Sequence, residues 1–198
     1  MLGAVQIEID PLDPPLVSPH RHWTVDELEL LPNGPDRYEI IDGSLVVTPP
    51  PVVRHGLVAS ELFRLLMSAE PRNVRTLPGG LGVMTRRDRV FIPDLLVVHR
   101  SALEEEDRKL FEGEHVVLVA EIVSPTNAAH DLILKRALYA EAGIPHYWII
   151  DSRGPVTATL LHLDGDTYVE QATGGPEDEI EVDQPFPVAF RPGNLTAP

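Results

Sequence analysis

The spacing of apolar residues predicts two long helices and a central buried strand. Residues 53–69 carry apolar side chains three and four positions apart, which is the period of an amphipathic helix. The unbroken apolar run 116–120 is typical of a strand that is buried on both faces of a sheet. A second helix is predicted from Ser124-Pro125 to Ala142, where Gly143 provides a helix C-cap.

Shorter runs rich in β-branched residues predict a series of strands. Residues 38–41 and 45–47 flank Asp42-Gly43, the strongest two-residue signal for a β-hairpin. Residues 101–114 are acidic and polar, so they predict a surface loop or a ragged helix. Further strands are predicted over 74–77, 82–86, 90–92, 95–98, 146–150, 156–163, 167–171 and 180–182. This order predicts an α/β (or α+β) fold with a mixed central β-sheet flanked by helices.

The first residues differ in composition from the rest of the chain. Residues 1–20 are rich in proline and acidic side chains, which predicts an N-terminal arm outside the core. Thr24 then fits the N-cap of a short helix with acidic residues in its first turn. We therefore expect one domain over residues 21–198.

The overall composition excludes several classes of protein. The 198 residues include no cysteine, which excludes disulfide scaffolds, zinc ribbons and thiol nucleophiles. The first residues lack the basic start and long apolar run of a signal peptide. Because no apolar stretch reaches the length needed to span a bilayer, we expect a cytoplasmic protein without a membrane partner.

The net charge of −15, from 31 acidic and 16 basic residues, argues against nucleic-acid binding by charge alone. It does not exclude a nuclease, because bound cations reverse the charge of a carboxylate-rich metal site. Arginines do cluster within eighteen residues, at positions 72, 75, 86, 87 and 89. We interpret this cluster as a solvated hairpin edge in preference to a nucleic-acid-binding patch.

Two acidic residues lie in apolar surroundings. Asp94 follows Pro93 between two predicted strands, so it should project from a bend in the sheet. The structural alternative is a turn aspartate that accepts nearby backbone N–H groups. Glu121 ends the most apolar strand, where burial disfavours a carboxylate that has no cation or hydrogen-bond donor. Its structural alternative is an ion pair at the end of a strand.

Three other ionisable residues complete the candidate chemistry. Lys135 lies on the predicted helix that follows Glu121, and it could reach the carboxylates as an ammonium group. Asp131 precedes it by four residues, so the alternative is a surface ion pair of little energetic value. Glu39, in the first hairpin, and His55, at the start of a helix, are further candidates. His55 is the weaker of the two, and it could donate to a phosphate or to Glu39.

With these residues set out, the chain resembles the bacterial putative restriction endonuclease family, a branch of the PD-(D/E)xK nuclease superfamily. The resemblance covers about residues 22–170. Pro-Asp alone is a weak signal, whereas the full series in this order is specific. The matching motifs are Tyr38-Glu39-Ile40-Ile41-Asp42-Gly43, His55-Gly56, Pro93-Asp94, Glu121-Ile122-Val123-Ser124-Pro125, Asp131, Lys135, Tyr139 and Gly143-Ile144-Pro145-His146-Tyr147-Trp148-Ile149-Ile150-Asp151.

The resemblance implies a restriction-endonuclease-like core and a role for each candidate. It implies that Asp94 and Glu121 bind Mg²⁺ or Mn²⁺, that the Val123 carbonyl completes the metal site, and that Glu39 assists catalysis. The commonest superfamily pattern has a lysine two residues after the glutamate, where this chain has Val123. Lys135, on the following helix, matches the displaced lysine of this branch.

The leading hypothesis is a metal-dependent endonuclease that hydrolyses DNA phosphodiester bonds, with DNA as partner and a homodimer as assembly. The alternative is a catalytically degenerate nuclease-fold protein that acts as a binding or assembly module. A serine hydrolase has little support, because no Gly-x-Ser-x-Gly elbow is present. A zinc enzyme also has little support, because the eight histidines are scattered.

Overall fold

The computed structural model describes residues 21–28, 31, 34, 36–105, 107–123 and 131–196. The predicted arm over 1–20 and the predicted helix start at Ser124-Pro125 lie outside these ranges. Within them, the helices are α1 (Val25–Leu28), α2 (Val53–Ala69) and α3 (Arg136–Glu141). A π-helical turn, Asp131–Lys135, leads directly into α3.

Short strands make up most of the remaining described structure. They are β1 (Arg37–Ile41), β2 (Ser44–Thr48), β3 (Val74–Pro78), β4 (Gly82–Arg86), β5 (Arg89–Phe91), β6 (Leu95–His99), β7 (Leu110–Glu112), β8 (Val116–Val123), β9 (His146–Asp151), β10 (Thr157–Asp164), β11 (Thr167–Gly174), β12 (Ile180–Val182) and β13 (Val188–Phe190).

These strands form two mixed sheets and a separate β12–β13 hairpin. The five-stranded sheet has the order β2-β1-β5-β4-β7, and the six-stranded sheet has the order β11-β10-β9-β8-β6-β3. Each of the two sheets contains one parallel pair, β4 with β7 and β8 with β9. The predicted α/β class, with a mixed sheet flanked by helices, is therefore confirmed.

The first hairpin forms where Asp42-Gly43 predicts it. Asp42 has a φ of +48° and Gly43 has a φ of +78°, as a two-residue primed turn requires. The Asp42 side chain also accepts a hydrogen bond from Arg89 in β5, the strand beside β1. The turn thereby fixes β1 and β2 in register and aligns Glu39 on β1.

The six-stranded sheet is covered by apolar side chains on both faces. On one face, Val58, Leu62 and Leu66 of α2 pack against β6, β8 and β9, together with the β12–β13 hairpin. On the other face, Leu138 and Tyr139 of α3 pack with side chains of the five-stranded sheet. Because β8 lies between these two layers, its apolar run is buried on both sides, as the sequence predicts.

The chain passes from one sheet to the other through Ile92, Pro93 and Asp94. These residues join β5, in the five-stranded sheet, to β6, in the six-stranded sheet. Pro93 carries no N–H and so takes no place in either ladder as a donor, which suits this junction. The junction brings the start of β6 beside the end of β8.

Two predictions of secondary structure are corrected by the structure. Residues 101–114 are neither a loop throughout nor a ragged helix, because they contain β7 between 3₁₀ turns at Arg100–Leu103 and Gly113–His115. The β7 strand has three residues within an acidic and polar segment, so its periodic signal is weak, and its pairing with β4 stabilises it. The β13 strand was not predicted and is equally short.

None of the helices in the described ranges is both long enough and apolar enough to cross a membrane.

Candidate active site

Five ionisable side chains converge where the β5–β6 junction meets the end of β8. They come from both sheets and both long helical segments: Glu39, His55, Asp94, Glu121 and Lys135. All five are buried, and Lys135 is only 3% exposed. Burial of five such groups is costly unless they are paired with one another.

Asp94 is held by three donors. Leu95 pairs with Ala120 in the antiparallel β6–β8 ladder, so Asp94 continues that register opposite Glu121. Arg37 Nη1 donates to Asp94 Oδ1 at 2.6 Å, and the backbone N–H of Ile122 donates to Oδ2 at 2.8 Å. His55 Nε2 lies 2.9 Å from the same Oδ2.

These donors keep Asp94 ionised. Burial alone raises the pKa of its carboxyl group, but the hydrogen bond and charge of His55 and the charge of Arg37 outweigh burial. The resulting pKa lies below the ordinary value for aspartate. Asp94 is therefore an anion at neutral pH.

Lys135 joins two carboxylates that are distant in sequence. Its Nζ lies 2.9 Å from Glu39 Oε1 and 3.0 Å from Glu121 Oε1. Glu39 Oε1 also accepts the backbone N–H of Ile92 at 2.8 Å, which ties β1 to the β5–β6 junction. One ammonium thus connects the two sheets across the site.

The helical segment presents a second donor to Glu121. Tyr139 lies one turn after Lys135, and its hydroxyl donates to Glu121 Oε1 at 2.9 Å. Burial first, and then the charges of Glu121 and Glu39, raise the pKa of Tyr139 well above its ordinary value. Its phenol therefore stays protonated and acts as a donor. The π-helical turn places Lys135 at the start of this face, and such turns are frequent at functional sites.

The structure bears differently on the structural alternatives for the candidate residues, and Glu121 does form an ion pair near the end of its strand, with Lys135. Lys135 is buried and contacts Glu39 and Glu121, and the side chain of Asp131, its partner in the alternative, lies outside the described residues. Asp94 accepts the backbone N–H of Ile122 on β8, which is not the nearby amide that the turn alternative expects, and it contacts two side chains from distant elements. His55 contacts Asp94, whereas the sequence suggested a phosphate or Glu39 as its partner.

The Val123 carbonyl is engaged by a different residue. It accepts a hydrogen bond from Ser152 Oγ at 3.0 Å and one from the Ser152 backbone N–H at 3.3 Å. Arg54, beside His55 on α2, in turn donates to the Ser152 carbonyl at 2.7 Å. The role of Val123 as a metal ligand stays a prediction.

Sequence reasoning missed Arg37 and the contact made by Tyr139. Arg37 is two residues from Glu39 on β1 and so shares its face of the strand, which is a signal that could have found it. Tyr139 is four residues from Lys135, which is the spacing of one helical face. In both cases only the fold shows which carboxylate the side chain meets.

The arginine cluster of the sequence is largely neutralised by acidic partners. Arg89 is buried and pairs with Asp42 and Glu141, and this burial corrects its assignment to a solvated edge. The remaining pairs are Arg75 with Glu70, Arg86 with Asp88, and Arg87 with Asp26. These contacts favour a structural role over a nucleic-acid-binding patch.

The donor set of the site has the chemistry of a magnesium site. Three carboxylates supply the hard oxygen ligands that Mg²⁺ and Mn²⁺ take, and Mg²⁺ often uses only one or two protein carboxylates with water and phosphate oxygens. Across the part of the chain that the structure describes, no three acidic or histidine side chains already stand in a metal-binding arrangement. The carboxylates instead face Arg37, His55 and Lys135. The carboxylates fit the ion by donor type, and each of them is already paired with a side chain of the protein.

Comparison with known proteins decides the family. Residues 25–197 match the model of the Uma2 family, whose description is putative restriction endonuclease. The chain belongs to the Uma2 family. This confirms the resemblance found in the sequence motifs.

A solved structure shares the fold of this Uma2 protein. The crystal structure of a putative nuclease belonging to DUF820, from Anabaena variabilis, superposes with a TM-score of 0.67. The two sequences are 21% identical, and the match covers 87% of this chain and 97% of the other. No curated protein matches the sequence significantly. The predicted α/β core is therefore confirmed as a fold that this chain shares with the solved structure.

Proposed function

We propose that this Uma2 protein is a metal-dependent endonuclease that hydrolyses phosphodiester bonds in DNA. The observation that carries the proposal is the buried contact of Lys135 with both Glu39 and Glu121 beside Asp94. These residues are separated by up to 96 positions in the chain. Such a costly cluster of charges in a protein core is typical of a functional site.

In this proposal, each residue has a distinct task. Asp94 and Glu121 would hold Mg²⁺ or Mn²⁺, with the Val123 carbonyl as the further ligand that the family resemblance implies, and the ion would supply Lewis acidity and an activated water. Lys135 places a positive charge beside the scissile phosphate and stabilises the negative charge that develops there. Glu39 fixes the position of that ammonium, and Tyr139 fixes the orientation of Glu121.

His55 and Arg37 hold Asp94 in place before the ion arrives. His55 and the Ile122 N–H both bind Oδ2, so they set the orientation of the carboxylate. Arg37 binds Oδ1 from the side of the molecule that is partly open to solvent. Because a guanidinium and a divalent cation repel each other at one carboxylate, Arg37 has to move aside when the ion binds.

A cleavage assay on supercoiled plasmid DNA tests the proposal. We expect the purified protein to nick or cut the plasmid with Mg²⁺ or Mn²⁺, and Asp94→Ala to lower the rate about a thousandfold or more. Glu70→Gln is a matched control, because the side chain of Glu70 is only 6% exposed and is paired with an arginine but lies outside the site. Equal cleavage by wild type and Asp94→Ala would rule out the proposed site.

The same assay reports on assembly. Cutting both strands of a duplex is most direct when two copies of the chain present two active sites, so we include a homodimer in the proposal. Linear product that forms without accumulation of nicked circles supports paired sites. Accumulation of nicked circles supports one site acting alone.

A second function is a binding or assembly module whose site no longer takes metal. The observation that favours it is that the three carboxylates are already paired with Arg37, Lys135 and His55. The net charge of −15 also opposes DNA binding. Isothermal titration with Mn²⁺ separates the two functions. A nuclease binds Mn²⁺ and loses that binding in Asp94→Ala, whereas a module whose site no longer takes metal has no such binding to lose.

A further inference from the structure

A row of side chains leads away from Glu121 across the six-stranded sheet. Glu121 on β8 pairs with Ile149 on β9, Ile149 pairs with Thr159 on β10, and Thr159 pairs with Thr173 on β11. Directly paired residues point to the same face of a sheet. The row therefore forms one continuous strip that begins at the candidate active site.

A second row runs parallel to the first, nearer the ends of the strands. Asp151 on β9 pairs with Thr157 on β10 and shares the face of Ile149 and Thr159. The charge of Asp151 is balanced by Arg153, whose Nη2 lies 2.6 Å from Asp151 Oδ2. The strip is thus made of an aliphatic side chain, hydroxyls and a neutralised carboxylate.

The helical segment forms the other wall of a groove above this strip. Ile133 in the π-helical turn and Arg136 at the start of α3 line the groove opposite the strands, and the groove holds about 500 Å³. Ile133 is 78% exposed although it is a large apolar residue. Arg136 donates through Nη2 to the Tyr168 carbonyl, which anchors its side chain at the groove.

The size and chemistry of the groove suit one nucleotide. Strands in a sheet lie about 4.8 Å apart, so Ile149 and Thr159 lie one and two strand spacings from Glu121 along the row. Two isoleucines supply flat aliphatic surface for the face of a base, and an arginine supplies a cation for phosphate. The threonine hydroxyls supply donors and acceptors for polar edges.

We propose that this groove binds the nucleotide next to the scissile phosphate of a nucleic-acid strand. The inference rests on the proposed function for the position of the scissile phosphate at Glu121 and Lys135. Ile133 contacts the base, Thr159 binds a polar group of the sugar or base, and Arg136 faces the following phosphate. An exposed isoleucine beside a charged site then has a role that protein packing does not give it.

Binding of a short fluorescent single-stranded oligonucleotide tests the groove separately from cleavage. Fluorescence anisotropy is measured once with EDTA and once with Ca²⁺. The anisotropy reports binding in both conditions, so no hydrolysis is needed. We expect Ile133→Ser and Ile133→Asp to weaken binding about tenfold, because each removes the apolar surface that the base would bury. Thr159→Val should weaken binding less, because it removes one hydroxyl and keeps the shape.

Met67→Asp is the matched control for charge. Met67 is an exposed apolar residue on α2, outside the groove, and its substitution adds the same negative charge as Ile133→Asp. Ile133 and Met67 both face solvent, so their variants should fold, and thermal unfolding by circular dichroism checks this. Equal oligonucleotide affinities for the Ile133 variants and Met67→Asp would contradict the proposed role of the groove. So would a wild-type protein that does not bind the oligonucleotide.

The two proposals fail in different ways. If wild type cleaves DNA with Mg²⁺ and the Ile133 variants bind and cleave as well as wild type, the groove is wrong and the nuclease stands. If no cleavage occurs but oligonucleotide binding depends on Ile133, the nuclease is wrong and the groove stands as a nucleic-acid-binding site.

Discussion

Two places in the six-stranded sheet bury ionisable side chains, and the free-energy cost of burying charge is met in opposite ways at the two places. At the end of β8, Asp94, Glu121 and Lys135 are buried with partners and form ion pairs. At the start of β9, His146 is buried opposite His162 on β10, and within the described residues neither ring has a partner at Nδ1. The first place keeps its charges, whereas the second avoids charge.

The pKa values of the two places express this difference. Burial raises the pKa of Asp94, but His55 and Arg37 bring it below its ordinary value, so the carboxylate is retained. Burial and the neighbouring His162 lower the pKa of His146 to about 4, so its imidazole is neutral at pH 7. A sheet of this size can therefore bury charge only where several elements contribute partners.

Removal of Lys135 should change the stability of the fold more than any other substitution at these two places. Lys135→Met leaves Glu39 and Glu121 buried without their shared ammonium, so we expect it to lower the free energy of unfolding by about 3–5 kcal/mol. Urea unfolding measures this change. Adding Glu39→Gln to Lys135→Met should restore part of the loss, because one buried charge disappears. Lys109→Met, at an exposed lysine, is the control, and an equal loss there would refute the role of Lys135.

Removal of Arg37 should raise the affinity of the site for metal while it lowers the stability of the fold. Arg37→Gln takes a cation away from Asp94 Oδ1, so we expect Mn²⁺ to bind about tenfold more tightly. Isothermal titration measures the affinity. Arg37→Lys keeps the charge and should bind Mn²⁺ more weakly than Arg37→Gln.

Arg75→Gln serves as the control for this experiment, because Arg75 pairs with Glu70 away from the site. Unchanged Mn²⁺ affinity in Arg37→Gln would show that Arg37 does not compete with the ion.

Acid should weaken the fold through His146, and this effect should be the smallest. The folded pKa of about 4 lies below the ordinary value of 6.5, so between these pH values the unfolded chain binds the extra proton. Stability contributed by the neutral ring is present above pH 6.5 and declines as the pH falls towards 4. One proton accounts for a slope of at most about 1.4 kcal/mol per pH unit.

Unfolding curves of His146→Gln across this range should show a flatter dependence on pH than wild type. His99→Gln, at an exposed histidine, should keep the wild-type slope. The Asp94 carboxyl responds at lower pH, because its depressed pKa gives stability that is present above the ordinary value and is lost as the pH falls through the folded value. A wild-type slope in His146→Gln would show that its burial carries no such cost.

Periodicity and turn chemistry were sufficient to predict the main elements. The helix over 53–69, the Asp42-Gly43 hairpin and the buried strand that contains 116–120 are all present. The short strands β7 and β13 were missed although β5 and β12, which also have three residues, were predicted, because so few residues give only a weak alternation signal. Their pairing partners lie elsewhere in the chain, so local sequence does not show them.

The candidate residues were predictable, but their contacts were not. Asp94, Glu121, Lys135, Glu39 and His55 stand out because each places a polar group in or beside an apolar segment. The sequence suggested a partner for His55 other than Asp94 and did not indicate Arg37 as a partner of Asp94. These contacts join residues 39 and 57 positions apart, a separation that no local pattern encodes.

The sequence by itself determined the family, the main helices and strands, and the residue types available for chemistry, because each of these depends on local spacing. Tertiary structure alone decided that the β5–β6 junction meets the end of β8, that Lys135 lies between two carboxylates, and that a groove lies over β9 and β10 beside Ile149, the ladder partner of Glu121. The physical reason is that ion pairs and grooves depend on distances between segments, and the packing of two sheets around a shared core sets those distances.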